Sequence, residues 1–356
     1  MKSTYHIDYT LPLNFQPEWA HLFKPDYKYK TVDLRVKELK NVFVNHYGLI
    51  IKNGLLVKGC APNIGCAPFY DKSAYYKHWR KATEQWLVCK YGTSIPSIKL
   101  DGNTKYLVIH SPWFSYYFWI TECLPRLLMV KDQLQELTLI YPESWKNITF
   151  VNETLALFPQ LQKIVIPADT HLFVKHLVMP EVKPWTPMFI PELVFEVREL
   201  LFKALQEKNI TSPFGERIYI SRKKAARKKF TDENLADNVL MQYGFDSVCM
   251  ENYSFFEQIA IMEKANVFTG ITGAGHINII FMPENGCVLD ITNKDFITKT
   301  QYKFHFYKLC QILKIQYLVS FLNHENSINV NHYSIQNLIF EKTLIEKNLN
   351  KITYAK

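Results

Sequence analysis

The chain has no continuous apolar run long enough to span a bilayer, no Cys-x-x-Cys pair, no Asp-x-Asp, no internal repeat and no low-complexity segment. Each absence excludes a class of protein. A transmembrane helix needs about 20 apolar residues in a row. The first residues, Met-Lys-Ser-Thr-Tyr-His-Ile-Asp, lack the apolar core of a secretion signal, so a cytoplasmic protein is expected. Seven cysteines, an odd number, are scattered in a way that suits a reducing compartment and argues against a disulfide framework or a zinc site. Cys60 and Cys66, the closest pair, read as small buried residues. Without a secretion signal, the Asn-x-Ser/Thr triplets at Asn147, Asn152, Asn209 and Asn252 read as chance matches. Lack of an Asp-x-Asp removes the usual way of holding a divalent metal between paired aspartates. Phosphate charge would then fall to arginines and helix N-termini, and no metal is expected.

What is present is a globular chain of 356 residues, 48% hydrophobic and 15% aromatic, long enough for two domains with their own cores. Its net charge of +9 points to an anionic partner: nucleotide phosphates, an anionic membrane face or nucleic acid.

Residues 254–291 organise the reading. Ser254 followed by Glu257 is a capping box that starts a helix, with Phe255, Ile259 and Met262 on one face. Residues 265–269 suit a buried strand, ended by Gly270. Gly273-Ala274-Gly275 turns the chain into a second short helix, stopped by Pro283, and 287–291 is the next strand. A strand, a glycine turn and a helix start form an anion site, because the first amides of the helix have no internal partner. A tight turn without a ligand accounts for the same glycines. It is not a P-loop, since His276-Ile277 stands where Lys-Ser or Lys-Thr would follow. It is not a dinucleotide fingerprint, since the third glycine position holds Asn278.

Earlier in the chain, residues 1–40 look irregular, broken by Pro12, Pro17 and Pro25. Residues 42–44 and 49–51 form a hairpin, with Asn53-Gly54 as a further turn before Leu55. Residues 75–90 are helical and 106–110 a buried strand. Helix and strand then alternate over 149–158, 164–166 and 177–179. The prolines at 180, 184, 187 and 191 mark a linker. Beyond it the spacing predicts a helix over 191–208, a strand over 217–221, a helix capped by Thr231 and ended by Gly244, a strand over 246–250, a helix over 296–313, a strand over 316–320 and a helix over 333–349. This rhythm implies a parallel sheet covered by helices.

Two places carry candidate chemistry. Glu122 lies in the apolar, aromatic run 116–132, where an unpaired carboxylate is costly. It is either paired with Arg126, four residues on, or a catalytic base in a cleft wall. Pro125 kinks or restarts that helix. Ser221-Arg222 ends a strand, where α/β sheets bind ligands. Arg222 and Arg227, in the basic run 222–229, are the candidates for a diphosphate, and the lysines there read as a solvated face. The run contains no stacking aromatics, so nucleic acid is not expected.

These stretches bear a resemblance. Phe118-Trp-Ile-Thr-Glu122-Cys-Leu-Pro-Arg126-Leu is similar to the His-Trp-x-x-Glu-x-Leu-Pro-Arg-Leu motif of glycosyltransferase family 61. So are Arg217-Ile-Tyr-Ile-Ser221-Arg222 with Ala226-Arg227, the set Glu251, Ser254, Glu257 and Gln258, and Thr272-Gly-Ala-Gly275-His276-x-Asn278. The four motifs span about 105–292; the first hundred residues and the last sixty carry little of the likeness. The resemblance implies a GT-B architecture, two Rossmann-like domains facing across a cleft: 1–188 for the acceptor and 189–356 for the donor, with the final helix a candidate to pack back on the first. It implies an inverting enzyme of polysaccharide or capsule synthesis. Such an enzyme takes a nucleotide sugar as co-substrate, needs no other cofactor, and acts on a glycan or lipid-linked glycan, with peripheral contact to an anionic inner membrane face. Glu122 becomes the base. Ser221, Arg222, Arg227, Thr272, Gly273, Ala274, Gly275, His276 and Asn278 become the donor site, supported by Glu251, Ser254 and Glu257. Two family histidines are replaced, by Phe118 and Thr272, and His276 stands where leucine is usual. The alternative is a non-catalytic nucleotide- or glycan-binding module on the same fold.

Overall fold

A computed structural model describes residues 4–6, 10–23, 28–30, 34–61, 72–92, 94–183, 189–293, 305–324 and 337–352. Its contacts group into two compact units. Unit 1 is centred on Thr31–Glu199, and unit 2 comprises Thr4–Lys30 and Leu200–Lys356. The division falls within the helix Pro191–Lys208. Of the proline-rich segment, 184–188 lie outside the described residues.

The early segment of unit 2 is more ordered than its prolines suggest. Strands β1 (Thr4–His6) and β2 (Lys28–Lys30) pair antiparallel. Between them, the Leu13 N–H donates to Tyr317 O at 2.9 Å and the Asn14 side-chain amide to Val319 O at 2.6 Å. Residues 13 and 14 thereby satisfy backbone groups of a strand that would otherwise be an open sheet edge.

Unit 1 holds a mixed sheet. Strands β3 (Val36–Val44), β4 (Ile50–Lys52) and β5 (Leu55–Leu56) form an antiparallel meander. The last turn is the two-residue Asn53-Gly54, with φ of 51° and 79°, the left-handed pair that a tight hairpin requires. Strands β6 (Ser97–Leu100), β7 (Lys105–Leu107), β8 (Leu137–Pro142), β9 (Gln162–Ile166) and β10 (His171–Pro180) follow, in the order β5-β4-β3-β10-β7-β8-β9, with β6 also on β10. β10 runs parallel to β7, and β7, β8 and β9 are mutually parallel, but β10 pairs antiparallel with β3. A wholly parallel sheet was not to be had here, since two-residue turns can join only antiparallel neighbours. The helix Lys72–Tyr91 buries Ala82 and Cys89 in the core of this sheet.

The sheet of unit 2 is wholly parallel. Strands β11 (Arg217–Ile220), β12 (Asp246–Val248), β13 (Val267–Ile271), β14 (Cys287–Thr292) and β15 (Gln316–Phe321) lie in the order β12-β11-β13-β14-β15. Counted within this sheet the order is 2-1-3-4-5, a doubly wound order whose direction reverses between β11 and β13.

Several expected boundaries shift. Gly270 does not end β13; it pairs with Ile220 and Asp290, and the strand continues to Ile271. The cap at 231–232 is Asp232, whose side chain accepts from Leu235 N–H at 2.9 Å. Thr231 N–H instead bonds Leu338 O. The last helix is Lys342–Ile352, because Leu338 forms β-bridges to Phe230 and His324. Its Ile345, Leu349 and Ile352 pack in the core of unit 2. The expected helix over 296–313 is described only as His305–Ile312, and 333–336 and Cys66 lie outside the described residues.

Candidate active site

In unit 1 the candidate residue is carried by an irregular helix. Ser115 caps it, and after Tyr116–Phe118 the turn widens into a π-helix, Trp119–Cys123, before α-helix resumes at Leu124–Leu128. Pro125 explains the widening: it has no N–H, and its ring clashes with the carbonyl four residues back. The Leu124 N–H reaches back five residues, to Trp119 O. Wide turns of this kind are frequent at functional sites, and this one contains Glu122.

Glu122 is 3% exposed. Its Oε2 accepts from the Ser111 hydroxyl at 3.4 Å, and its Oε1 has no hydrogen-bond partner. Burial raises the carboxyl above its ordinary range, opposed by the fields of Lys183 and Arg126 and by the Ser111 bond. Lys183 is itself buried, its ammonium 5.0 Å from the ring centre of Phe189 and 5.7 Å from that of Tyr117. Burial pushes it down to about 8, against the pull of Glu122.

Arg126, the alternative partner of Glu122, is engaged elsewhere. Its guanidinium donates to four backbone carbonyls: Pro180 at 2.8 Å, Ile109 at 2.7 Å, His110 at 3.0 Å and Val108 at 3.2 Å. Arg126 ties the end of β7 to that of β10 and acts on Glu122 only through its field. The carboxylate is therefore buried with a cation nearby and one oxygen free, an arrangement suited to accepting a proton. Sequence reasoning did not single out Ser111 or Lys183. Lysine in a proline-rich segment carries no local signal of burial.

In unit 2 the predicted donor residues converge on the switch point. Ser221 and Arg222 follow β11, and Thr272 and Gly273 follow β13, the strands between which the order reverses. A Cβ on Gly273 would lie 3.5 Å from Arg222 Nη1, and one on Gly275 would meet only Ile220 Cδ1, at 3.9 Å. Gly273 is extended, at φ 179°. Neither packing nor backbone conformation requires glycine at 273 or 275, which leaves access to the amides as the reason for it. The following 3-10 helix, Ala274–Phe281, leaves its first amides without an acceptor inside the helix.

Arg222 is half-buried. Its Nη2 donates to Arg227 O at 3.2 Å and its Nε has no partner. Burial lowers its pKa, countered by Glu251 and Glu233. The side chain of Arg227 is exposed. Lys228, assigned from sequence to a solvated face, is half-buried at φ 57°. Burial and the adjacent Arg222 push its ammonium down to about 8, with Asp290 acting the other way. Arg222 thus lies against the glycine corner, and Lys228 is near enough to Arg222 and Asp290 to feel their charge.

Behind the corner lies Asp290, 2% exposed. Its Oδ1 takes the Thr272 hydroxyl and lies 3.2 Å from His276 Nε2, while Oδ2 takes the Tyr317 hydroxyl at 2.7 Å. Burial alone would raise this carboxyl; His276, Thr272 and Tyr317 together hold it below the usual range. Thr272, His276 and Asn278 are all buried, so His276 braces the corner from within. Ser254 and Glu257 complete the capping box, with Ser254 N–H to Glu257 Oε2 at 2.7 Å. Their polar atoms serve the start of that helix. Glu251 is exposed and acts on Arg222 through its field.

Among the described residues no group of three His, Cys, Asp or Glu side chains is placed to hold a metal ion, and no helix is long and apolar enough to cross a membrane. Residues 116–289 match the family model described as Glycosyltransferase 61. That stretch holds Glu122 and every donor-site candidate from Ser221 to Asn278. A comparison with curated proteins returns no match.

Proposed function

We propose that this chain, a glycosyltransferase by its family 61 domain, is an inverting, metal-independent enzyme of GT-B architecture. It moves a sugar from a nucleotide sugar to a hydroxyl of a glycan or lipid-linked glycan during polysaccharide synthesis of the capsule type, at the cytoplasmic side of a membrane. The observation that carries this reading is the meeting of Arg222 with Gly273 at the switch point of the parallel sheet, where such sheets bind nucleotides.

The chemistry follows from the residues. The acceptor hydroxyl gives its proton to the Glu122 carboxylate. Its oxygen bonds to the anomeric carbon as the bond from that carbon to the diphosphate oxygen breaks. The electron pair leaves with the nucleoside diphosphate, and attack opposite the leaving group inverts the centre. Charge developing on the diphosphate is met by Arg222, by Lys228 and by the amides of Ala274 and Gly275. A base buried enough to sit above the ordinary carboxyl range accepts a proton more readily than a solvated one.

Glu122→Gln keeps the shape and removes the base. Transfer should fall by roughly 10²- to 10⁴-fold while the affinity for the nucleotide sugar is kept. Undiminished turnover would reject the assignment. A wild-type protein that binds nucleotide sugars but neither transfers nor hydrolyses them would favour the binding-module reading, which the replacements at Phe118 and Thr272 motivate.

A further inference from the structure

Unit 1 contains a cavity of about 150 Å³ that the proposed chemistry does not use. It lies at the carboxyl ends of three adjacent parallel strands: His110 follows β7, Pro142 ends β8 and Ile166 ends β9. That is the end of an α/β sheet at which ligands bind. By liquid volume the space equals about five waters. It suits one small ring rather than a drug-sized ligand, which needs about 300–1,000 Å³.

Its walls are of two kinds. Ile140, Ile166 and Leu172 give apolar surface; His46, His110 and Thr170 give polar atoms. His110 is 5% exposed and its Nδ1 has no partner. Both ring nitrogens of His46 are enclosed without a hydrogen bond, the nearest carboxylate, Asp169 Oδ1, being 3.7 Å away. Unmet buried polar atoms are costly, and a polar ligand in the cavity would satisfy them. The site is also rigidly built. Arg126 Nη1 holds the His110 carbonyl at 3.0 Å. Gly48, at φ 79°, presses so near that a Cβ there would come within 2.5 Å of the same carbonyl.

The charge state selects the ligand class. Burial holds His110 down to about 3 and lowers His46. Neighbouring His171 is held down to about 4, and its Nδ1 accepts the His46 backbone N–H at 3.2 Å. All three imidazoles are neutral at neutral pH. Of the three, His46 and His110 line the cavity, and each offers it at most one donor and one acceptor, which fits hydroxyl groups and does not favour a phosphate. Apolar walls, neutral donor–acceptor imidazoles and the exposed carboxylates of Glu143 and Asp169, which accept from hydroxyls and repel phosphate, match a pyranose ring, with its C–H faces and its rim of hydroxyls.

We propose that this cavity is a subsite for one sugar ring of the acceptor glycan. The proposal rests on the transferase reading above. His110 and Ser111 are consecutive, and the Ser111 hydroxyl bonds Glu122, so the residue shaping the cavity adjoins the one that holds the carboxylate.

The test is saturation-transfer NMR on the full chain with the methyl glycosides of glucose, galactose, mannose, xylose and N-acetylglucosamine. At least one should bind saturably in the millimolar range. His110→Phe should weaken it at least about tenfold. So should Ser144→Trp, which blocks the cavity from an exposed lining position and decides the matter if the His110 variant does not fold. No saturable binding, or binding unchanged in Ser144→Trp, overturns the proposal. Nucleotide-sugar turnover measured in parallel separates the two readings. Turnover without glycoside binding removes the subsite alone. Glycoside binding lost in the variants, with no turnover of any nucleotide sugar, keeps the sugar site and removes the transferase mechanism.

Discussion

Arg126 and Arg222 are both withdrawn from solvent, both follow or face strand ends, and are used in opposite ways. Arg126 directs its guanidinium at four carbonyls of its own backbone. Arg222 makes one such bond, leaves its Nε without a partner, and lies against a glycine that nothing in the protein requires. A guanidinium has five N–H donors in a fixed fork. Where the chain supplies the acceptors the residue is structural; where it withholds them, an acceptor from outside is the natural complement. Burial alone would not separate the two.

The comparison can be broken by exchange. The largest effect should come from Arg126→Met, which orphans the four carbonyls. At about 1–3 kcal/mol per unsatisfied buried group, the loss approaches the whole stability of a domain, about 5–15 kcal/mol. Thermal unfolding should show unit 1 melting early or not folding, and a Tm close to wild type would undo the structural reading. Arg222→Ala should leave the Tm nearly unchanged and weaken nucleotide-sugar binding by about 1.5–3 kcal/mol, roughly ten- to a hundredfold in Kd. Unchanged affinity in calorimetry counts against the donor site.

A smaller effect sharpens the same contrast at Glu122. Lys183 lowers the carboxyl that burial raises, so Lys183→Met removes a lowering influence and the carboxyl should titrate higher. Since the base acts deprotonated, the acid limb of kcat/KM should move to higher pH. A limb that stays put, or moves down, would show that the ammonium does not act on the base. The smallest effect is expected at Arg227→Ala. Its side chain is exposed and only its carbonyl is engaged, so the donor Kd should change by no more than about threefold, within the range of a surface ion pair.

What the sequence made legible follows from distance along the chain. The Asn53-Gly54 turn and the Ser254–Glu257 capping box depend on close neighbours in the chain, and each was readable; Pro125 signalled a kink or restart of its helix, but not that the break would take the form of a π-helical turn. The strand rhythm of unit 2 was readable for the same reason, and it delivered Arg222 and Gly273 to one crevice. The antiparallel pairing of β3 with β10, the Arg126 bond to Pro180 and the place of Asn14 beside Asn348 depend on separations of 54 to 334 residues, which no local pattern encodes. Asp290 is a different lesson. It is a lone carboxylate in an apolar strand, Cys-Val-Leu-Asp-Ile-Thr, the same signal that drew attention to Glu122. Applied evenly, that signal finds both acids. The structure then divides them, since each oxygen of Asp290 accepts a hydroxyl hydrogen bond, with the His276 ring close by, and Glu122 has an oxygen left over.

The π-helical turn at Trp119–Cys123 has one more consequence. It fits one residue more into the coil than an α-helix would, and an α-helix advances about 100° per residue. Everything upstream of it is therefore out of phase with everything downstream by nearly a third of a revolution. Excising a single residue from this segment would close the ladder and tighten the coil. It would also swing the acid away from Ser111 without touching any side chain of the site, so the helix can hold either a regular screw or an aligned base, and this chain holds the base.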